Sequence, residues 1–192
     1  MLVAGADVSG DEKKGQARYV AFIVGREEDI NSQHNYLGVK EIHMIRLDHM
    51  ERKQVIEGLD FRRYNLKAWC FYVDRQQTVD TISNHPKLHP KNRRREKIQK
   101  SFDSHFLYQF REDLENLTFK HGISLNDLSV DCDNDMALTV KNWRMKRSSM
   151  GKAFQLADAV AWCNEHEQKL QGVEDVSLRD AIYKAMSKDL LR

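Results

Sequence analysis

The sequence of 192 residues has few cysteines, few prolines and no long apolar run, and each shortage excludes a class of protein. Its three cysteines lie far apart without Cys-x-x-Cys spacing, which argues against a disulfide framework and against a zinc site. No stretch approaches the roughly 18 consecutive apolar residues that a membrane span requires. The first residues carry no secretory signal pattern. We therefore expect a cytoplasmic protein with no membrane partner.

The only two prolines, Pro86 and Pro90, mark the one clear break in the pattern of the chain. Before the break, Asp48 and Glu51 have the spacing of a capping box, which predicts a helix that ends near Gly58. Apolar runs and alternating patterns predict four strands in this part of the chain. The predicted strands are Leu2–Val8, Ala17–Val24, Val39–Leu47 and Leu66–Val73.

After the break, apolar residues recur every three or four positions from Ile98 to Leu117 and predict a long amphipathic helix that ends at Gly122. The remaining elements are a strand at Leu128–Val130, a helix from about Lys152 to Gln168 and a helix from about Ser177. Together the elements predict an α/β fold with a mixed five-stranded sheet, in which three antiparallel strands precede parallel strands and helices flank the sheet.

Three aspartates, Asp7, Asp74 and Asp131, stand at or near the carboxyl ends of buried strands. Ligands bind at that end of the strands in α/β sheets, so parallel neighbours would bring these carboxylates together. Converging carboxylates repel one another unless a cation neutralises them, and oxygen ligands without His or Cys suit Mg²⁺ or Mn²⁺. Two such ions about 4 Å apart can hold the attacking and leaving oxygens of a phosphodiester. The alternative is that each aspartate only begins a turn.

A fourth carboxylate, Asp158, lies in the apolar, alanine-rich segment Ala153–Trp162 of a predicted helix. A buried charge without a partner costs several kcal/mol, so Asp158 needs a partner. A metal ion bound with the other carboxylates would provide one. The alternative is an ion pair with Arg147 or Lys152.

Two segments carry a family resemblance. Asp7-Val-Ser-Gly-Asp11 and Phe154-Gln-Leu-Ala-Asp-Ala-Val-Ala161 resemble the end motifs of a large, poorly characterised ribonuclease-H-like family, whose members begin with Asp-Glu-Ser-Gly and close with Gln-Leu-Ala-Asp followed by small apolar residues. Glu41-Ile-His43 resembles a Glu-Ile/Leu-His element of the same family. Val8 stands where the family usually has Glu.

The resemblance implies a single ribonuclease-H-like domain over residues 1–192, with residues 85–122 as a basic, amphipathic helical insertion. It also implies acidic residues on the first strand, an internal strand and a late helix. Glu51 resembles the first-helix Glu of ribonuclease H, and its alternative role is the capping box. The implied metal and catalytic residues are Asp7, Asp74, Asp131 and Asp158, with Glu41 or Glu51 as an extra ligand.

Two basic segments are candidates for binding phosphates. Residues 87–100 contain seven basic residues and one acid, and residues 141–152 contain five basic residues and no acid. Trp143 interleaves with the second segment, where an aromatic ring can stack on a base. The alternative for the first is a solvated helix face. The candidate nucleic-acid-binding residues are Lys91, Arg93, Arg94, Arg95, Trp143, Arg144, Lys146, Arg147 and Lys152.

These features predict a divalent-metal-dependent nuclease that hydrolyses phosphodiester bonds in RNA, DNA or a hybrid. One alternative is a nucleic-acid-binding module on the same fold without catalysis. Another is a structural subunit in which the Phe-rich helix Ile98–Leu117 forms the interface of a homodimer.

Overall fold

The structure is a computed structural model that describes residues 1–10, 17–132, 144–147 (backbone alone) and 151–191. The chain divides into two compact units. The first contains Met1–Ser9, Tyr19–Cys70 and Ser124–Val176, and the second contains Gly10–Arg18, Phe71–Ile123 and Ser177–Arg192. The strands are β1 (Leu2–Ser9), β2 (Ala17–Arg26), β3 (Lys67–Asp74), β4 (Ser129–Cys132), β5 (Arg144–Arg147) and β6 (Val173–Ser177). The helices are α1 (Glu27–Tyr36), α2 (His49–Gly58), α3 (Arg75–Ser83), α4 (Arg95–Lys120), α5 (Lys152–Glu165) and α6 (Arg179–Leu190).

Six strands in the order β5-β4-β1-β2-β3-β6 form one mixed sheet, with the short strand β5 at one edge. The central strand β1 is antiparallel to β2, with Asp7 opposite Ala21. On its other side β1 is parallel to β4, with Gly5 opposite Asp131, and β4 is parallel to β5. The predicted α/β fold with a mixed sheet flanked by helices is therefore confirmed.

One predicted strand is wrong. Residues 38–47 form turns and irregular backbone instead of a third strand at Val39–Leu47. The alternating pattern has a different cause: Ile42 and Met44 are buried in the core of the first unit, and their backbone N–H groups donate to side chains of α5. The third strand of the sheet along the chain is β3, which the sequence analysis placed fourth.

Four elements were not predicted: α1, α3, β5 and β6. Helix α1 has only one buried apolar side chain, Ile30, so it lacks the apolar periodicity by which amphipathic helices are recognised. Strand β6 is short, and three of its five residues are exposed. Neither α1 nor β6 carries enough apolar residues to be found from the sequence.

The ends of two helices agree with the sequence. The Asp48–Glu51 capping box is formed at the start of α2, with both reciprocal hydrogen bonds present. Helix α4 is followed by Gly122, whose positive φ of 70° suits a residue without a Cβ. In the described part of the chain, no helix combines the length and the apolar character that crossing a bilayer requires.

The core of the second unit is built on α4. Phe102, Phe106 and Phe110 are fully buried and stack in succession along the helix, with centroids 6.2 and 6.3 Å apart. Phe71 meets Phe110 edge to face at 4.9 Å. The Arg75 side chain of α3 donates to Asp103 of α4. The predicted segment 85–122 lies entirely within this unit.

Candidate functional site

Helix α5 covers one face of β1. A Cβ on Gly5 would overlap the backbone of Ala153 and Phe154, so helix and strand approach each other at van der Waals distance at this point. Further along the strand, the Ser9 hydroxyl donates to Glu165 of α5. Side chains alternate between the faces of a strand, so Asp7 lies on the same face, between these two contacts. The carboxylate of Asp7 is correspondingly buried, with only 7% of the residue exposed.

Asp131 lies on the same face of the sheet as Asp7. Its strand β4 is the parallel neighbour of β1, and Asp131 pairs in register with Gly5. A Cβ on Gly151, the residue that caps α5, would overlap Oδ2 of Asp131, so this carboxylate also faces α5. Asp7 is two residues further along β1. With a strand spacing of about 4.8 Å and a rise of about 3.3 Å per residue, the Cα atoms of Asp7 and Asp131 are about 8 Å apart.

The amino end of α5 contributes to the electrostatics of this face. Gly151 is the N-cap, and no side chain caps the helix at that position. The unpaired N–H groups and the helix dipole at an N-terminus stabilise a negative charge. The carboxylate of Asp131 therefore lies beside the positive end of this helix dipole.

Asp158 binds the loop that precedes α2. Its Oδ2 accepts a hydrogen bond of 2.8 Å from the backbone N–H of Met44 and lies 3.4 Å from Nδ1 of His43. Asp158 is 8% exposed and Met44 is fully buried, so this bond satisfies a backbone donor that has no access to water. The pairing with Lys152 that the sequence suggested is not formed, because the Lys152 ammonium donates to Asn35. The side chain of Arg147 lies outside the described residues.

Gln155 fixes the same loop one turn earlier on α5. Its Oε1 accepts a bond of 2.7 Å from the backbone N–H of Ile42 and lies 2.8 Å from Nε2 of His34. Burial, and to a smaller extent the charge of Lys152, hold the pKa of His34 below its usual value, although the bond to Gln155 opposes this. The Gln-Leu-Ala-Asp and Glu-Ile-His motifs therefore meet in the first unit. His34 was missed by the sequence analysis because it lies on α1.

Two buried thiols are unsuited to nucleophilic chemistry. Burial, followed by the charge of Asp158, raises the pKa of Cys163 to about 12. Burial raises the pKa of Cys70 as well, with a smaller contribution from Asp175. Both thiols are therefore protonated at neutral pH, and the reactive form of cysteine is the thiolate.

The other predicted acidic residues lie elsewhere. Asp74 ends β3, which borders β2 and β6 in the sheet instead of β1, and its Oδ1 caps α3 by accepting from the N–H of Gln77. Glu51 completes the capping box of α2. Glu41 is exposed in the loop before α2. For Asp74 and Glu51 the structure shows the helix-capping roles that are ordinary for acidic side chains.

The predicted nucleic-acid-binding residues fall into separate groups. Arg95 forms an ion pair with Asp80 at 3.0 Å. Lys91, Arg93 and Arg94 are exposed near the start of α4. Trp143 lies outside the described residues, as do the side chains of Arg144, Lys146 and Arg147.

Asp7 and Asp131 together offer oxygen ligands for a hard cation. Mg²⁺ is commonly bound by one or two carboxylates, with water and substrate phosphates completing its coordination, so this pair fits such an ion. The cluster of four carboxylates that the sequence suggested is not formed: among the described residues, no group of three or more His, Cys, Asp or Glu side chains is arranged to hold a metal ion. The pair is the part of the predicted site that the fold brings together.

Comparison with protein-family models, with curated proteins and with solved structures finds no match to this chain.

Proposed function

We propose that the protein is a divalent-metal-dependent nuclease with a ribonuclease-H-like fold, which hydrolyses phosphodiester bonds in RNA, DNA or a hybrid. The observation that carries the proposal is the pair Asp7 and Asp131 on one face of adjacent parallel strands, beneath α5. The resemblance of the end motifs supports it, since the first motif contains Asp7 and the last lies on α5.

The sheet also supports the proposal. Its central strand has an antiparallel neighbour on one side and two successive parallel strands on the other. This is the mixture of directions that the ribonuclease-H-like resemblance implies. In such a sheet the carboxylate of the first strand and that of its parallel neighbour are adjacent, as Asp7 and Asp131 are here.

Asp7 and Asp131 would hold Mg²⁺ or Mn²⁺ between them. A cation bound there supplies activation of water and neutralisation of the charge that builds on the phosphate. The backbone of α5 packs directly against Gly5, which is in register with Asp131, so the helix covers this side of the pair. The amino end of α5 lies beside Asp131, where the helix dipole attracts negatively charged groups.

Asp158 has a positioning role in this proposal. Its carboxylate holds the loop before α2 through Met44 and His43, and Gln155 holds the same loop through Ile42. These bonds connect the loop to the helix that covers the carboxylate pair. Asp158 therefore acts through α5 and the loop, whereas Asp7 and Asp131 would hold the ion.

The test combines calorimetric titration of Mn²⁺ with incubation of the protein with labelled DNA, RNA and hybrid substrates. We expect the wild type to bind Mn²⁺ and to cleave one class of substrate, and Asp7→Asn and Asp131→Asn to lose both properties. Asp127→Asn, at an exposed position of the same unit, is the matched control. Equal cleavage by Asp7→Asn and the wild type, or no Mn²⁺ binding by the wild type, would contradict the proposal.

A second candidate function is a nucleic-acid-binding module without catalysis. It is favoured by the bonds of Asp158 to Met44 and His43, which commit one predicted metal ligand to the structure. The same experiment separates the two functions. Nucleic-acid binding by the wild type without cleavage of any substrate, in the presence of Mn²⁺, would favour the module.

A further inference from the structure

The basic residues that follow the prolines have different surroundings in the structure. Arg95 turns toward α3 and pairs with Asp80. Four other basic residues are exposed and border a groove of about 610 Å³ at the start of α4. The residues that line this groove, called the α4 groove below, are Pro90, Lys91, Arg94, Glu96, Lys97 and Lys100.

The α4 groove carries an excess of positive charge, with four basic residues and one acid in its lining. None of its four basic side chains has an acidic partner within ion-pair distance among the described residues. The only acid in its lining is Glu96. The N-cap of α4, Arg94, makes no capping bond through its side chain, so the first-turn N–H groups of a 26-residue helix add to the attraction for anions.

An exposed aromatic residue continues the same face of α4. Tyr108 is 67% exposed and lies eleven residues after Lys97, which is about three turns of an α-helix. The buried face of the helix, from Ile98 to Leu114, is on the opposite side. A basic surface with an exposed aromatic ring is the combination with which proteins bind unpaired nucleotides, because the ring stacks on a base while the basic groups hold phosphates.

We infer that the α4 groove and Tyr108 form a binding site for single-stranded nucleic acid. Lys91, Arg94, Lys97 and Lys100 hold the phosphates, and Tyr108 stacks on a base. An unpaired strand is favoured over a duplex because the bases of a duplex are stacked on one another and expose no face to the ring. An acidic peptide would satisfy the charges and leave the ring unused. The inference rests on the proposed function for its class of ligand, and its test measures binding separately from cleavage.

The experiment is fluorescence anisotropy of a labelled single-stranded oligonucleotide, and of a duplex of equal length, titrated with the full chain in EDTA. Four phosphate contacts predict that the logarithm of the affinity falls against the logarithm of the salt concentration with a slope of about −2.8 for a single strand. The affinity should therefore fall about 50-fold between about 50 and about 200 mM salt. The single strand should bind more tightly than the duplex.

Two sets of variants identify the site. The double variant Lys97→Ala/Lys100→Ala should weaken binding at least about tenfold at low salt and reduce the slope by about half. Its matched control is Lys184→Ala/Lys188→Ala, which removes the same charge from exposed positions of α6 and should bind as the wild type does. Tyr108→Ala should weaken binding at least about fivefold with the slope unchanged, and Tyr108→Phe should restore it.

Equal losses in the two double variants would overturn the inference, because net charge alone would then explain binding. The inference would also be overturned by equal affinity for the duplex and the single strand. The same holds if polyglutamate competes as strongly as an unlabelled strand of equal charge. Intact oligonucleotide binding in a protein that cleaves no substrate with Mn²⁺ contradicts the nuclease proposal alone. Normal cleavage with no effect of the Lys97/Lys100 double variant on binding contradicts the groove alone.

Discussion

Removing the carboxylate of Asp158 tests whether this residue is structural. In Asp158→Ala, the N–H of Met44 keeps its place in a fully buried position and loses the carboxylate oxygen that accepts its hydrogen bond. An unsatisfied buried donor costs about 1–3 kcal/mol, and bonds to charged groups are at the upper end of the range. The contact with His43 adds little, because His43 is partly exposed and surface ion pairs contribute about 0–1 kcal/mol.

The expected total for Asp158→Ala is about 2–4 kcal/mol of unfolding free energy. For a chain of this size that lowers the melting temperature by about 5–15 °C. Asp158→Asn keeps an amide oxygen that can accept from Met44, so it should cost about 0.5–1.5 kcal/mol. The measurement is thermal and urea unfolding followed by circular dichroism in EDTA. Asp127→Ala, at an exposed position, is the control and should stay within about 0.5 kcal/mol of the wild type.

The result that refutes this reasoning is a wild-type melting temperature for Asp158→Ala in EDTA. If Asp158 stabilises the fold only through a bound cation, the melting temperature of the variant would fall below that of the wild type only after Mg²⁺ is added. If Asp158 stabilises the loop through its hydrogen bond with Met44, the melting temperature should fall by the same amount with and without Mg²⁺.

Two further predictions concern the packing of α5. Gly5→Ala places a Cβ on the backbone of Ala153 and Phe154, where no change of rotamer can relieve the overlap. We expect it to lower the free energy of unfolding, measured in urea, by at least about 1–3 kcal/mol, and Gly5→Val to lower it further. Equal stability of Gly5→Val and the wild type would contradict the close approach of helix and strand. The pKa of His34 in the folded state lies below 6.5, so in mild acid the unfolded state binds more protons than the folded state does. The contribution of His34 to the free energy of unfolding is therefore fully present above about pH 6.5, and it is lost as the pH drops through the folded pKa. In His34→Gln, the stability measured by urea unfolding should depend less on pH in this range. His49→Gln, at an exposed position, is the control. An unchanged pH profile in His34→Gln would assign the acid sensitivity to other groups.

The parts of the fold that the sequence predicts are those in which local chemistry and final structure agree. The apolar periodicity of Ile98–Leu117 lies within α4, and the capping box at Asp48 begins α2. The run Leu66–Val73 coincides with β3 because its side chains are mostly buried on both faces. In each case the evidence lies within one element, so no long-range contact was needed to find it.

The parts that the sequence does not predict depend on partners far away in the chain. The segment Val39–Leu47 alternates like a strand, but its backbone N–H groups at Ile42 and Met44 bind side chains more than one hundred residues later instead of a neighbouring strand. The same is true of Asp158: its burial on an apolar helix indicated that a partner was required, and sequence spacing could not identify that partner as a backbone N–H.

The carboxylate pair was predictable, because both aspartates stand near the ends of strands. The environment of the pair was not predictable, because it depends on close contacts at two glycines. Gly5 lets the backbone of α5 approach β1, and Gly151 leaves room for the carboxylate of Asp131 beside the first turn of the same helix. These two contacts place the amino end of α5 beside Asp131, and the contact of Ser9 with Glu165 places its other end beside β1. A helix held at both ends in this way fixes the surroundings of Asp7, which lies between the two contacts. The alanines of α5 suit this close packing, since Ala153, Ala157 and Ala161 are all buried in the core of the first unit, where larger side chains would have to displace their neighbours.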